Sequence, residues 1–217
     1  MPLHAVIFDY GMVLSAPPDR EARTKLLALA GLPEDQFDRL YWAHRPAYDL
    51  GQLNGHTYWP RFAQDAGLNF TPEQIDALIE NDVMMWTSIN EPMLAWAGQL
   101  QECGIRTAIL SNMGPEVLRY MRQEFSWLGT FEQHTWSCEL GIAKPDPAIY
   151  THTVKRLGVD PGEALFLDDR EENVHGAESV GLHAILFRDI KQLERDLRER
   201  GFAEILPAPG IANSTAK

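Results

Sequence analysis

The stretch AVIFDYGMVLSAPP, residues 5–18, sets four consecutive apolar residues, Ala5 to Phe8, directly before an aspartate, Asp9. A short, unbroken apolar run that stops at a polar residue is the pattern of a strand buried on both faces, as in a parallel sheet. Four further segments read the same way: IRTAILSN (105–112), FEQHTWS (131–137), EALFLDD (163–169) and LHAILF (182–187). Between most of them lie stretches with helix signals. Pro115 stands near a first turn in SNMGPEVLRYMRQEF (111–125). Asp146 and Pro147 open an apolar-periodic run that stops at Gly158, and DDREENVHGAESVG (168–181) ends at Gly181. The spacing predicts a last helix in DIKQLERDLRERG (189–201). Repeated strand-helix units imply an α/β fold with a Rossmann-like parallel sheet covered on both faces.

Residues 16–89 break that rhythm. DREARTKLLALAG (19–31), PEDQFDRLYWAHRPAYDLG (33–51), HTYWPRFAQDAG (56–67) and TPEQIDALIENDVMMWTSI (71–89) read as four helices with no strand between them. The expected organisation is an α/β core made of 1–15 and 90–206, a helical insertion at 16–89 after the first strand, and a loosely ordered tail at 207–217.

The chain has 217 residues, 45% hydrophobic and 23% charged, which suits a folded protein with a sizeable core. Nineteen Lys+Arg against 31 Asp+Glu give a formal net charge of -12, which disfavours nucleic acid and anionic lipid as partners. Cys103 and Cys138 form no CxxC and no cluster, so they read as reduced thiols in a core rather than a disulfide or zinc site. No apolar run reaches the length of a membrane span, and the start has no signal-peptide pattern. The expectation is a soluble, cytoplasmic protein; the oligomeric state is not legible.

Open parallel sheets bind ligands at the carboxyl ends of their strands. The residues there are Asp9, then Ser111 and Asn112, then Lys144, then Asp168 and Asp169. Carboxylates from two strand ends suit a hard cation such as Mg²⁺, which takes carboxylate, carbonyl and phosphate oxygens. Ser111, Asn112 and Lys144 are suited to hold a phosphate. Singly, each has a plainer reading, as helix cap, turn residue or solvated charge. Their shared placement at strand ends favours the chemical one.

In this order VIFDYGMVL, AILSNM, GIAKPDPAIY and LFLDDREENVHGA resemble the four signature motifs of the haloacid dehalogenase-like hydrolase superfamily, over residues 5–187. The likeness is greatest to the branch with the phosphatase domain of soluble epoxide hydrolases and bacterial sugar-phosphate phosphatases. It implies that the insertion is the family's cap. It further implies that Asp9 attacks phosphorus to give an aspartyl-phosphate, which water hydrolyses. Mg²⁺ would be held by Asp9, the Gly11 carbonyl, Asp168 and Asp169, with Asn173 orienting the aspartate pair. Ser111 and the Asn112 backbone N–H would bind the phosphoryl oxygens, and Lys144 would offset their charge. The implied function is Mg²⁺-dependent hydrolysis of a small phosphorylated metabolite, a sugar phosphate among the options.

Gly11 departs from the pattern, because most phosphatases of the family have there an aspartate that protonates the leaving oxygen. Such help is worth about 10²- to 10⁴-fold. Three explanations compete: a leaving group that needs little protonation, a proton from the cap (His44, His56 or Tyr58), or phospholigand binding with little turnover. Metal-independent 2-haloacid dehalogenation is a further alternative, disfavoured because paired aspartates are a poor setting for a departing halide. Large side chains crowd the insertion (Phe37, Tyr41, Trp42, Tyr48, Tyr58, Trp59, Phe62 and Trp86), and are read mostly as its own core, with a minority facing the cleft. Substrate choice is expected to lie there. His134, His152, His175 and His183 show no metal-ligand spacing and read as structural or surface groups.

Overall fold

In the computed structural model, which describes residues 3–210, five parallel strands form one sheet in the order β3-β2-β1-β4-β5. The strands are β1 (Ala5–Phe8), β2 (Arg106–Ser111), β3 (Gln133–Trp136), β4 (Ala164–Asp168) and β5 (His183–Leu186). Consecutive strand residues face opposite sides. Val6 and Phe8 therefore enter one core with Ile109, Leu165 and Leu167, while Ala5 and Ile7 enter the other with Ala108, Leu110 and Phe166. Two buried faces explain why β1 has no polar alternation.

Between β1 and β2 run α1 (Arg20–Ala30), α2 (Glu34–Ala43), α3 (Arg45–Asp49), α4 (Gly55–Ala66) and α5 (Pro72–Met85). Their starts follow local chemistry. Asp19 accepts the Ala22 N–H at 2.8 Å, and Thr71 and Gln74 form a capping box ahead of α5. These helices enclose a separate apolar cluster built from Leu26, Phe37, Tyr41, Tyr58, Trp59 and Phe62, with Leu78. The two chain crossings lie side by side: Ala16 donates to Ser88 O and Asn90 to Leu14 O, both at 2.9 Å. The remaining helices cover the sheet. On the Val6 side lie α6 (Glu91–Glu102), α7 (Pro115–Glu124) and, at the end of the chain, α11 (Ile190–Glu199); on the opposite side, after the short α8 (Ser137–Leu140), lie α9 (Pro147–Leu157) and α10 (Glu171–Ser179).

Three expectations need correction. The helix expected over 33–51 divides at His44, because Pro46 lacks an N–H and disfavours helical geometry before it. Neither cysteine is a core thiol. Cys103 is exposed, since α6 ends at Glu102 and the chain turns away through Gly104, and Cys138 is half-buried. The expected tail begins with residues in contact: the Trp96 indole donates to Pro207 O at 2.7 Å. Residues 211–217 of that tail lie outside the described residues. Among the described residues no helix is long and apolar enough to cross a membrane.

Candidate active site

β1 and β4 are neighbours flanking the point where strand order reverses, the place where open α/β sheets form a ligand crevice. Asp9 follows β1 and donates its N–H to Leu167 O at 2.9 Å, which fixes it against β4. The chain then makes one wide turn, Tyr10–Leu14, closed by Ser15 N–H to Tyr10 O at 2.7 Å. Met12 holds φ 59° within it, and its N–H is secured by Ser15 Oγ at 3.0 Å. The turn carries the Gly11 backbone past the Asp9 carboxylate.

Four elements bring the expected residues together. Lys144 Nζ lies 2.9 Å from Asp9 Oδ1 and 2.6 Å from Asp168 Oδ2, all three groups being buried. Asp9 Oδ1 also accepts the Tyr10 N–H at 2.6 Å. Asn112 clamps the lysine's backbone, accepting Lys144 N–H at 2.8 Å and donating to Lys144 O at 2.9 Å. Asp168 Oδ1 accepts from Arg170 N–H and from Asn173 Nδ2, each at 2.9 Å. Carboxylate oxygens of Asp9, Asp168 and Asp169 lie within 4.8 Å of one another.

Three carboxylates share one ammonium. Burial, partly offset by Lys144, pushes the Asp9 carboxyl up to about 7, with Asp168 and Asp169 adding to the rise. Burial and Asp168 raise Asp169 as well. For Lys144 burial acts downward, but Asp168 and Asp9 outweigh it and hold the lysine above its ordinary value. This surplus of negative charge, with oxygen donors only, suits a hard divalent cation.

Above these groups lies a cavity of about 160 Å³. Its lining includes Asp9, Gly11, Ser111, Asn112, Lys144, Asp169 and Asn173, whereas Asp168 sits behind the wall. The insertion closes the other side with Trp42, Arg45 and Asp49, joined by Trp86. Most of the insertion's aromatic residues instead fill its own core, as expected.

The cap residues expected as proton sources do not reach the cavity. The His44 ring pairs with Asp65 and the His56 ring with Asp76, each on the outer surface, and the Tyr58 hydroxyl is spent on Tyr41 O. The charged residues of the insertion that do line the cavity are Arg45 and Asp49, which the sequence reading did not single out. The available signal was an arginine and an aspartate four residues apart on one helical face, in a segment dense in aromatics.

The family model of haloacid dehalogenase-like hydrolases matches residues 18–181. Bifunctional epoxide hydrolase 2 of Sus scrofa is 29% identical over 97% of this chain and 41% of its own length, so the chain spans about two fifths of that relative. A phosphatase of Mycobacterium tuberculosis is 25% identical over 86% of this chain and 88% of its own. Among solved structures, a HAD family enzyme from Bacteroides thetaiotaomicron, determined as a magnesium complex, superposes with a TM-score of 0.71 at 23% identity, covering 90% of this chain and all of that one. That likeness extends to the fold.

Proposed function

Because this chain belongs to the haloacid dehalogenase-like hydrolase family, we propose that it is a magnesium-dependent phosphomonoesterase that takes a small phosphorylated metabolite and carries its phosphoryl group on Asp9. The observation that carries this reading is the Asp9–Lys144–Asp168 chain of contacts at the cavity floor. Asp9 Oδ1 is occupied by Lys144 and the Tyr10 N–H, which leaves Oδ2 to attack phosphorus. The P–O bond to the leaving group then breaks as the Asp9–phosphorus bond forms. Water next attacks the phosphorus of the aspartyl-phosphate, releases inorganic phosphate and restores the carboxylate.

Lys144 offsets negative charge on Asp9 and the transferring group without having to move, since Asn112 holds its backbone and Asp168 its ammonium. Ser111 and the Asn112 backbone line the wall where phosphoryl oxygens would lie. Asn173 fixes the Asp168 carboxylate. Asp9, the Gly11 carbonyl and Asp169, with Asp168 behind, would hold Mg²⁺, which supplies Lewis-acid neutralisation of phosphoryl oxygens. Residues 16–89 are assigned as the cap and 1–15 with 90–206 as the core, the paired crossings at 16 with 88 and 14 with 90 serving as the hinge.

Phosphate release from a panel of phosphomonoesters, with Mg²⁺ and with chelator, tests the reading. Turnover should require the metal and fall roughly 10³-fold or more in Asp9→Asn. Undiminished activity in that variant would overturn the mechanism. Gly11 favours a second reading, phospholigand binding with slow turnover, which efficient multiple turnover on any ester of the panel would exclude.

A further inference from the structure

Four large apolar side chains are exposed among the described residues, and two of them, Trp42 at 51% and Met12 at 36%, line the cavity over Asp9. They come from its two sides, Trp42 from α2 of the insertion and Met12 from the turn after β1. Met12 has φ 59°, a left-handed conformation that glycine adopts freely and a side chain makes costly. Strain kept for a side chain that lies outside the core points to a ligand. Tyr10, Trp86, Met113 and Val117 continue the apolar part of the lining. We propose that Met12 and Trp42 clamp an aromatic ring borne on the phosphate oxygen, so that the preferred substrate is an aryl phosphate whose phenolate leaves without a proton from the protein. The turnover this predicts rests on the phosphatase reading; the binding does not.

The proton balance selects the leaving group. Gly11 has no side chain, and the other groups of the lining that could hold a proton are engaged. The Tyr10 hydroxyl donates to Trp86 O at 2.6 Å, and burial raises it above the ordinary tyrosine value. Lys144 bridges Asp9 and Asp168, and Asp169 belongs to the acidic cluster. Asp49 Oδ1 faces Arg45 Nε at 3.5 Å inside the wall. Arg45 and Arg170 keep their protons, as arginines do. When Asp9 Oδ2 bonds to phosphorus, the electrons of the breaking P–O bond go to the departing oxygen. A phenol ionises near pH ~10, whereas an aliphatic alcohol is about as weak an acid as water, near ~15.7. A phenolate therefore departs as the anion and takes its proton from bulk water afterwards, while an alkoxide finds no donor.

The clamp is held by its surroundings. Trp42 meets Tyr41 edge-on, with ring centroids 5.0 Å apart at 87°, and Tyr41 stacks on Phe37 at 5.6 Å, which ties the indole to the insertion's own core. The Met12 backbone is fixed by Ser15 Oγ, which accepts its N–H at 3.0 Å. An indole and a thioether both make favourable contacts with an aromatic ring. The cavity, about 160 Å³, favours a single ring over a fused ring system or an acyl chain.

Binding and turnover test the two halves of the proposal with the full chain and Mg²⁺. In calorimetry, phenylphosphonate should bind about 3- to 10-fold more tightly than cyclohexylphosphonate, the worth of an aromatic contact. Trp42→Leu, which keeps apolar area without the ring, should remove most of that preference. Met12→Gly, which relieves the left-handed strain, should leave Tm no lower than native and still reduce the preference. Equal affinities in the native protein, no binding of either phosphonate, or a preference that survives both substitutions would overturn the clamp. In kcat/KM, phenyl phosphate should exceed cyclohexyl phosphate by about 10²-fold or more, the worth of the acid-base help that an alkyl ester lacks here. Equal turnover of the two esters would overturn the leaving-group assignment. If neither ester turns over while phenylphosphonate keeps its Trp42-dependent preference, the phosphatase reading fails by itself and the ring site stands.

Discussion

At the scale of single residues, the decisive position is Gly11. Its backbone, φ -59° and ψ 128°, is open to any residue, and an added Cβ would meet nothing within 4 Å. No steric demand therefore requires glycine there, and Gly11→Asp should fold. With Mg²⁺ present its Tm should stay within about 2 °C of the native value, the range of an unstrained surface change in a chain of this size. The new carboxyl would stand two residues from Asp9, where, on the proposed mechanism, it can protonate a leaving oxygen. Turnover of an ester with an alkyl leaving group should rise by about 10²-fold, the lower end of what a positioned acid-base group contributes. An activated aryl ester, whose leaving group needs no proton, should gain much less. Equal gains on both esters would show that the substitution acts through the metal site and not through proton transfer.

At the scale of elements, one buried carboxylate helps join the inserted helices to the core, beside the Ser137 hydroxyl on Asp49 O and the Tyr10 hydroxyl on Trp86 O. Glu116, in the first turn of α7, accepts the Tyr48 hydroxyl at 2.7 Å and the Gly55 N–H at 3.0 Å, reaching α3 and the start of α4 together. The same contact explains Gly114, where an added Cβ would come within 1.9 Å of the Tyr48 ring. Glu116→Ala leaves two buried donors unpaired and should cost about 3 kcal/mol, lowering Tm by roughly 6–12 °C. A Tm within about 2 °C of native would mean that α3 and α4 are held to the core by other contacts. This junction was not legible in the sequence. Apolar periodicity located the helices and Pro46 explains their division, but Glu116 reads as an ordinary acidic residue at a helix start until α3 is seen lying across it.

At the scale of the whole molecule, strand-end residues were legible because a parallel sheet buried on both faces leaves a continuous apolar run ending in a polar residue at the crevice. Asp9, Ser111, Asp168 and Asp169 all fall at such ends. The order of strands was not legible, since apolar runs carry no information on which neighbour they pair with, and so the difference between half-buried Asp169 and enclosed Asp168 was hidden too. That arrangement gathers three carboxylates around one lysine in a chain whose formal charge is already -12. The native state then repels itself at this point unless a cation binds, whereas the unfolded chain disperses the same charges. Mg²⁺ should accordingly bind the folded form and stabilise it by about 2.7 kcal/mol at a hundred times its Kd. For a chain of this length that corresponds to a rise in Tm of roughly 5–11 °C. General screening of the net charge would also raise Tm, so NaCl at matched ionic strength is the comparison that isolates binding. In Asp169→Asn the Mg²⁺-specific part should shrink markedly while the NaCl response persists. An identical Tm rise in the two salts would mean that the acidic cluster holds no particular ion and that the charge surplus is relieved by the ionic atmosphere alone.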